Sequence, residues 1–168
     1  MGILSATLLS LLQDQYRHET SNSLRYVARS SWARFRGLEA TADFFEHEAK
    51  DERKHAEIVR KIIEARNAEL YPAPYSFDES NDWAAFGDLF TTAQAIERDT
   101  TDRLNAIYGQ ALGESDFMLV IAISELVAIQ IEEENAYQTI LDRIDARGDD
   151  KASTHDIDVW IGETFSAD

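Results

Sequence analysis

The chain contains no cysteine. That excludes a disulfide framework and every thiolate metal site, so any metal held here takes oxygen and nitrogen ligands, as iron, manganese or zinc can. Proline is nearly absent, with two residues in 168, and glycine is sparse at seven. So little punctuation favours long helices. Positive charge is also scarce: 16 Lys and Arg stand against 32 Asp and Glu, a net charge of −16. Lysine occurs only as Lys50, Lys54, Lys61 and Lys151. Nucleic acid is not expected as a partner, because phosphate binding needs clustered basic residues. The acidic surplus suits a protein that handles cations, a chain built for a high-salt cytoplasm, or simple solubility. The first residues, Met1-Gly2-Ile3-Leu4, carry no basic run, and Gln13, Asp14 and Arg17 interrupt what apolar character follows. Neither a signal peptide nor a membrane span is expected there, and the reading is cytoplasmic.

Hydrophobic residues make up 44% of the chain, enough for one domain over residues 1–168 with a sizeable core. Their spacing predicts four long amphipathic helices. The first covers residues 5–35, with Leu8, Leu12, Gln15, Glu19, Ser23, Tyr26 and Ala33 inward. The second covers 38–67, with Phe45, Ala49, Glu52, Ala56, Val59 and Ile63 inward. The third covers 83–112 through Phe86, Phe90, Ala93, Glu97, Thr100, Leu104 and Tyr108. The fourth covers 116–146 through Leu119, Ile123, Leu126, Gln130, Glu133, Tyr137, Ile140 and Ile144. A short fifth helix is expected over 154–165 on Ile157, Trp160, Ile161 and Phe165. Both prolines fall between the second and third helices, in Tyr71-Pro72-Ala73-Pro74-Tyr75, and Asn81 or Asp82 is the expected N-cap beyond them. A connection of about 15 residues can cross the length of a bundle, so the second and third helices are expected to run parallel. The fold class is therefore all-α: a four-helix bundle with a long crossover between helices 2 and 3 and a short C-terminal fifth helix.

Each apolar stripe is interrupted near its middle by a polar residue: Glu19, then Glu52 with His55, then Glu97, then Gln130. Glu52 and His55 stand three apart, so a carboxylate and an imidazole point the same way. A single Glu-x-x-His on a helix is a surface feature more often than a ligand, and Gln130 alone could merely hydrogen-bond in the core. Four coincident interruptions carry a different meaning. Buried carboxylates are costly and repel one another unless something pairs with them. A pair of metal ions resolves this, and carboxylate, imidazole and amide oxygen suit iron. Tyr26, seven residues after Glu19 on the same face, is either plain core or a hydroxyl donor to a site carboxylate.

These residues resemble those of the non-haem ferritins, of bacterial or archaeal type, in the ferritin-like di-iron family. The resemblance runs from Leu11 to about Phe165. It is carried by Gln15 to Glu19 with Tyr26, by Phe45 to Glu57, by Ala95-Ile96-Glu97, and by Gln130-Ile131-Glu132-Glu133-Glu134 with Ile140-Leu141-Asp142 beyond. It implies that Glu19 and His55 bind one iron, that Glu52 bridges two, and that Glu97 binds the second, with Gln130 and Tyr26 beside the site. A third iron site would draw on Asp51, Glu132 and Glu133, but Ile129 occupies a position where that family often has glutamate. Arg53 stands where bacterioferritin has its haem-binding methionine, so no haem is expected. The family's acidic threefold-channel positions fall near Val120 and Ile123, both apolar, and its mineral-nucleating acids are matched only by Asp51 and Glu57 around Lys54.

What the resemblance implies is a ferroxidase and iron store: Fe²⁺ oxidised by dioxygen, or peroxide, at an intra-bundle di-iron site, with ferric oxide held inside a homo-oligomeric, 24-subunit shell. The alternative is a non-cage di-metal oxidoreductase of the same fold acting on peroxide or an organic substrate. A metal-free structural bundle is the third possibility.

Overall fold

The structure, a computed structural model, describes residues 4–71 and 82–165. Five helices follow in order: α1 (Ala6–Phe35), α2 (Glu39–Ala65), α3 (Phe86–Gly113), α4 (Phe117–Arg147) and α5 (Lys151–Phe165). No strand occurs among the described residues. No helix is long and apolar enough to cross a membrane, among the described residues.

The hairpin between α1 and α2 closes on a Schellman motif. Gly37, at φ +73°, donates its N–H to Arg34, and the Leu38 N–H reaches the Ala33 carbonyl at 3.1 Å. Two further helix ends use the same closure without glycine. Asn67 (φ +55°) follows α2, with the Ala68 N–H on the Ile63 carbonyl. Ser115 (φ +57°) follows α3, with the Asp116 N–H on the Ala111 carbonyl. Asp116 then caps α4 through the Leu119 N–H and takes both guanidinium donors of Arg66, at 2.9 and 2.6 Å. That fork joins the end of α2 to the start of α4.

Two buried clusters fix the helix directions. One is largely aromatic: Tyr26 and Ala33 from late α1, Phe44, Phe45 and Ala49 from early α2, Phe86 and Phe90 from early α3, and Tyr137, Ile140 and Ile144 from late α4. The other is aliphatic: Leu8 and Leu12 from early α1, Val59 and Ile63 from late α2, Leu104 and Ile107 from late α3, and Leu119, Ile123 and Leu126 from early α4. Each of the four long helices therefore has one end in each cluster. α1 and α2 run antiparallel, as do α3 and α4, while α2 and α3 run parallel, so α2 ends at the opposite end of the bundle from where α3 begins. The expected path of residues 72–81 lies outside the described residues.

Three expectations need correction. α3 begins at Phe86, not at residue 83: Trp83 is buried ahead of the helix, edge-on to Trp32, and Asp88 reaches back to accept from the Ala84 and Ala85 N–H groups. Asp82 is therefore not the cap, and Asn81 lies outside the described residues. α5 begins three residues earlier than expected, because the Asp150 carboxylate caps the Ala152 and Ser153 N–H groups. On α3 the buried residue is Ile107, with Tyr108 only half-buried. α5 itself is held by Asp158, which is 5% exposed and accepts from the Thr41 N–H at 2.7 Å, satisfying one of the orphan donors at the start of α2.

Candidate metal centre

Between the two apolar clusters lies a layer of buried polar side chains. Glu19 comes from α1, Glu52 and His55 from α2, Glu97 from α3 and Gln130 from α4; their exposures are 1, 2, 7, 0 and 4%. The Glu52–His55 spacing puts carboxylate and imidazole on one face of α2, one turn apart.

Two groups of three converge. In Glu19, Glu52 and His55, and again in Glu52, Glu97 and Glu133, one ligand-type atom from each residue lies within 4.8 Å of the others. Glu52 belongs to both, the place a bridging carboxylate would occupy. His55 Nε2 is 3.7 Å from Glu133 Oε1, so the groups also touch across their edges.

The surrounding hydrogen bonds orient these carboxylates. Gln15 Nε2 donates to Glu19 Oε1 at 2.5 Å. Gln130 Nε2 donates to Glu97 Oε2 at 2.7 Å and to the Glu97 carbonyl at 3.2 Å. The Tyr26 hydroxyl donates to Glu97 Oε1. Both oxygens of Glu97 are thus held. By contrast Oε2 of Glu19, of Glu52 and of Glu133 are buried without any hydrogen-bond partner. Native proteins rarely leave such groups unsatisfied. Three orphaned carboxylate oxygens, on residues of the two converging groups, fit bound cations better than they fit an empty core.

The electrostatics agree. Burial, then the repulsion of Glu19, holds Glu52 well above the usual carboxylate range. Burial raises Glu97 to about 7, against the opposing bonds from Tyr26 and Gln130. Burial and the Glu97 charge raise Glu133 to about 9. Burial lowers His55, so its imidazole is held neutral and ready to ligate. Burial, then Glu97, raises Tyr26, keeping its hydroxyl a donor. Positive charge among these carboxylates would relieve every one of the raised acids.

The remaining predicted ligands are placed differently. Glu133 joins the main group instead of forming one with Asp51 and Glu132. Asp51 accepts from Lys54 at 2.6 Å and faces His47 Nε2 at 3.1 Å, while Glu132, one residue round the helix from Glu133, is exposed. Ile129 packs against the aliphatic cluster. Arg53 donates to Ser23 Oγ at 2.9 Å, Glu57 is taken up by Arg60, Val120 is half-buried, and Ile123 is fully buried. Glu48 was missed. It lies one turn before Glu52, accepts from the Tyr137 hydroxyl at 2.8 Å, and is raised to about 8 by burial and by Glu97. The four-residue step from Glu48 to Glu52 was visible; Glu48 lay off the chosen stripe.

Three comparisons bear on this arrangement. A family model described as a ferritin-like domain matches residues 9–146. A probable bacterial non-heme ferritin-like protein of Haemophilus influenzae is 28% identical over 162 residues, covering 95% of this chain and 96% of its own. A bacterial non-heme ferritin of Staphylococcus haemolyticus is 28% identical over 152 residues, covering 88% and 89%. The fold matches a ferritin from the hyperthermophilic archaeon Archaeoglobus fulgidus, described as open-pore, at a TM-score of 0.87 and 21% identity, over 95% of this chain and 98% of that one.

Proposed function

The chain belongs to the ferritin-like domain family, and on that premise we propose that it oxidises Fe²⁺ with dioxygen inside its own bundle and stores the ferric product as mineral within a homo-oligomeric shell of 24 subunits. The observation that carries this reading is the pair of ligand groups sharing Glu52, with three buried carboxylate oxygens left unpartnered.

Iron is here the substrate. Glu19 and His55 hold one Fe²⁺, Glu97 and Glu133 the other, and Glu52 spans both. Gln15, Gln130 and Tyr26 hold Glu19 and Glu97 in place before iron arrives, so little reorganisation is needed on binding. The donor set is mostly anionic oxygen, which stabilises Fe³⁺ more than Fe²⁺ and so makes oxidation by dioxygen favourable. Neutral His55 enters without a proton to lose. The raised carboxyl groups do have protons to lose, and iron binding releases them. The flanking aromatic and aliphatic clusters keep bulk water from the site.

Phe117, Met118 and Ile121 on α4 are 62, 69 and 71% exposed beside a groove of about 1100 Å³ that also takes in Ile58 and Ile62 of α2. An apolar patch of that kind suits contact with a second copy of the chain. The acidic balance of the chain would draw cations toward it. Exposed Glu132, and Asp51 once it exchanges Lys54 and His47 for a cation, would pass iron onward.

The test is aerobic addition of Fe²⁺ with the rise of ferric absorbance followed in time. The parent should oxidise iron rapidly, and Glu52→Ala combined with His55→Ala should fall to the uncatalysed rate. Equal rates would refute the assignment. Sizing decides between storage and the non-cage alternative. A particle of roughly 460 kDa, twenty-four times the 19.1 kDa chain, supports the shell, and a stable dimer supports the alternative.

A further inference from the structure

A polar-lined cavity of about 370 Å³ opens between α3 and α4. Thr101 and Asn105 face it from α3, and Gln130, Glu134 and Asn135 from α4. The rest of its lining is apolar, and no lysine or arginine borders it among the described residues. Gln130 joins the cavity to the metal centre. It is 4% exposed, and its Nε2 is taken up by Glu97. Its Oε1 accepts no hydrogen bond among the described residues. Glu134 is felt at the centre as well: burial, then the charges of Glu19 and Glu134, push Glu97 up.

Several acids on the outside of these helices are met by a base. Asp99 has Arg103, Glu57 and Glu64 share Arg60, and Asp51 has Lys54. Glu134 instead accepts from the Thr101 hydroxyl, and no basic side chain pairs with it among the described residues. A hydroxyl bond leaves the negative charge uncompensated. Glutamine at 134 would accept from Thr101 too, without adding charge beside an already crowded set of carboxylates. The charge has a use in attraction. A carboxylate in a concave, partly apolar site focuses its field and raises the local concentration of cations. Around it stand hydroxyl and amide oxygens, ligands that a divalent ion accepts while keeping part of its water.

We propose that the α3/α4 cavity is a loading site for divalent metal: Glu134 captures a hydrated Fe²⁺, the Gln130 amide oxygen takes it over, and Glu97 receives it at the metal centre. The inference rests on the ferroxidase reading above for the identity of the metal, whereas the loading step itself requires only metal binding. One carboxylate with neutral donors holds an ion less tightly than the several carboxylates and the imidazole of the centre, so transfer runs inward. Glu132, two residues before Glu134 on α4, faces another way, because two helical steps turn the side chain through about 200°. Loading and onward passage therefore use different faces of α4.

The experiment is anaerobic stopped-flow mixing of the full-length protein with limiting Co²⁺, read at the cobalt absorbance that develops as carboxylates and His55 replace water. The parent is compared with Glu134→Gln, which removes the charge, and with Asn105→Arg, which sets a guanidinium beside Glu134. Asp102→Asn removes an equal charge from an exposed position on α3 outside the cavity. Glu134→Gln and Asn105→Arg should each slow filling by about fivefold or more, with the same Co²⁺ bound per chain at saturation, and Asp102→Asn should keep the parental rate. The initial rate of Fe²⁺ oxidation at limiting Fe²⁺ should fall in parallel. Should Glu134→Gln lose its endpoint, Asn105→Arg decides, since it keeps every ligand of the centre. Parental filling in Asn105→Arg, or equal slowing in Asp102→Asn and Glu134→Gln, overturns the loading site. If the parent fills as expected but oxidises no Fe²⁺, the functional reading falls and the loading site stands for divalent metal in general.

Discussion

Glu133→Gln should make the metal-free protein more stable at pH 7. Glu133 is raised to about 9 by burial and by the charges of Glu97 and Glu48. In the unfolded chain it titrates near 4.5. Between those values the folded protein holds a proton that the unfolded chain has released, so the stability Glu133 contributes is fully present below pH 4.5 and is lost as pH rises toward 9. At pH 7 the loss is set by the gap between 4.5 and 7, whatever the folded value above neutrality, and amounts to about 3 kcal/mol. Coupling to Glu52, Glu97 and Glu48 spreads that cost over several groups, and an imperfectly bonded amide gives back about 1 kcal/mol. A gain of about 1–2 kcal/mol should remain. The assay is urea unfolding in the presence of a chelator, at pH 7 and pH 5. At pH 5 the gain should shrink below about 1 kcal/mol, because the unfolded chain is then near its own titration point. With saturating Zn²⁺ the order should reverse, since the parent offers a ligand that the variant lacks. A variant less stable than the parent at pH 7 without metal, or a gain identical at the two pH values, would refute the placement of Glu133 among buried, mutually repelling acids.

Zn²⁺ binding, followed with a pH indicator, should release more protons per chain at pH 7 than at pH 9.5, because Glu97, Glu48 and Glu133 are raised to about 7, 8 and 9 and are already ionised at the higher pH. Gln130→Leu removes the amide that holds Glu97 and should weaken Zn²⁺ binding about 10- to 100-fold by calorimetry, with little change in helix content. Ser115→Gly should raise stability by about 1 kcal/mol in urea unfolding, because Ser115 holds φ +57° at the end of α3, where glycine meets no steric penalty.

Much of the fold was legible because it rests on period. Glu19, Glu52, Glu97 and Gln130 were found by asking where an apolar stripe breaks, and all four are buried in one layer. Boundaries were less legible. Trp83 looked like helix and is a buried residue ahead of it, because the actual cap is made by Asp88 reaching backwards from inside the first turn. Glu133 was read correctly as inward but grouped with Asp51 and Glu132, since spacing along one helix cannot say which neighbour a long side chain meets. Asp51 turns to Lys54 and His47, and Glu133 turns to His55. The buried arginine was beyond the pattern too. Arg29 is fully buried, bonded to the Leu89 carbonyl at 3.3 Å and set 4.8 Å over the Trp83 ring. Nothing in a hydropathy stripe predicts a guanidinium whose donors are met by the Leu89 and Arg25 carbonyls and the Thr92 hydroxyl.

Residue order alone determined four long helices, the direction of the crossover and the candidate ligands, because helical period, turn chemistry and the cost of burying carboxylates all act locally or on composition. Only the tertiary structure decided which oxygens converge. It made Glu52 common to two groups, left three carboxylate oxygens unpartnered, and set Tyr137 between Tyr26 and Glu48. Those facts depend on the relative height and rotation of four packed helices, and that geometry comes from the aromatic and aliphatic clusters filling the space on either side.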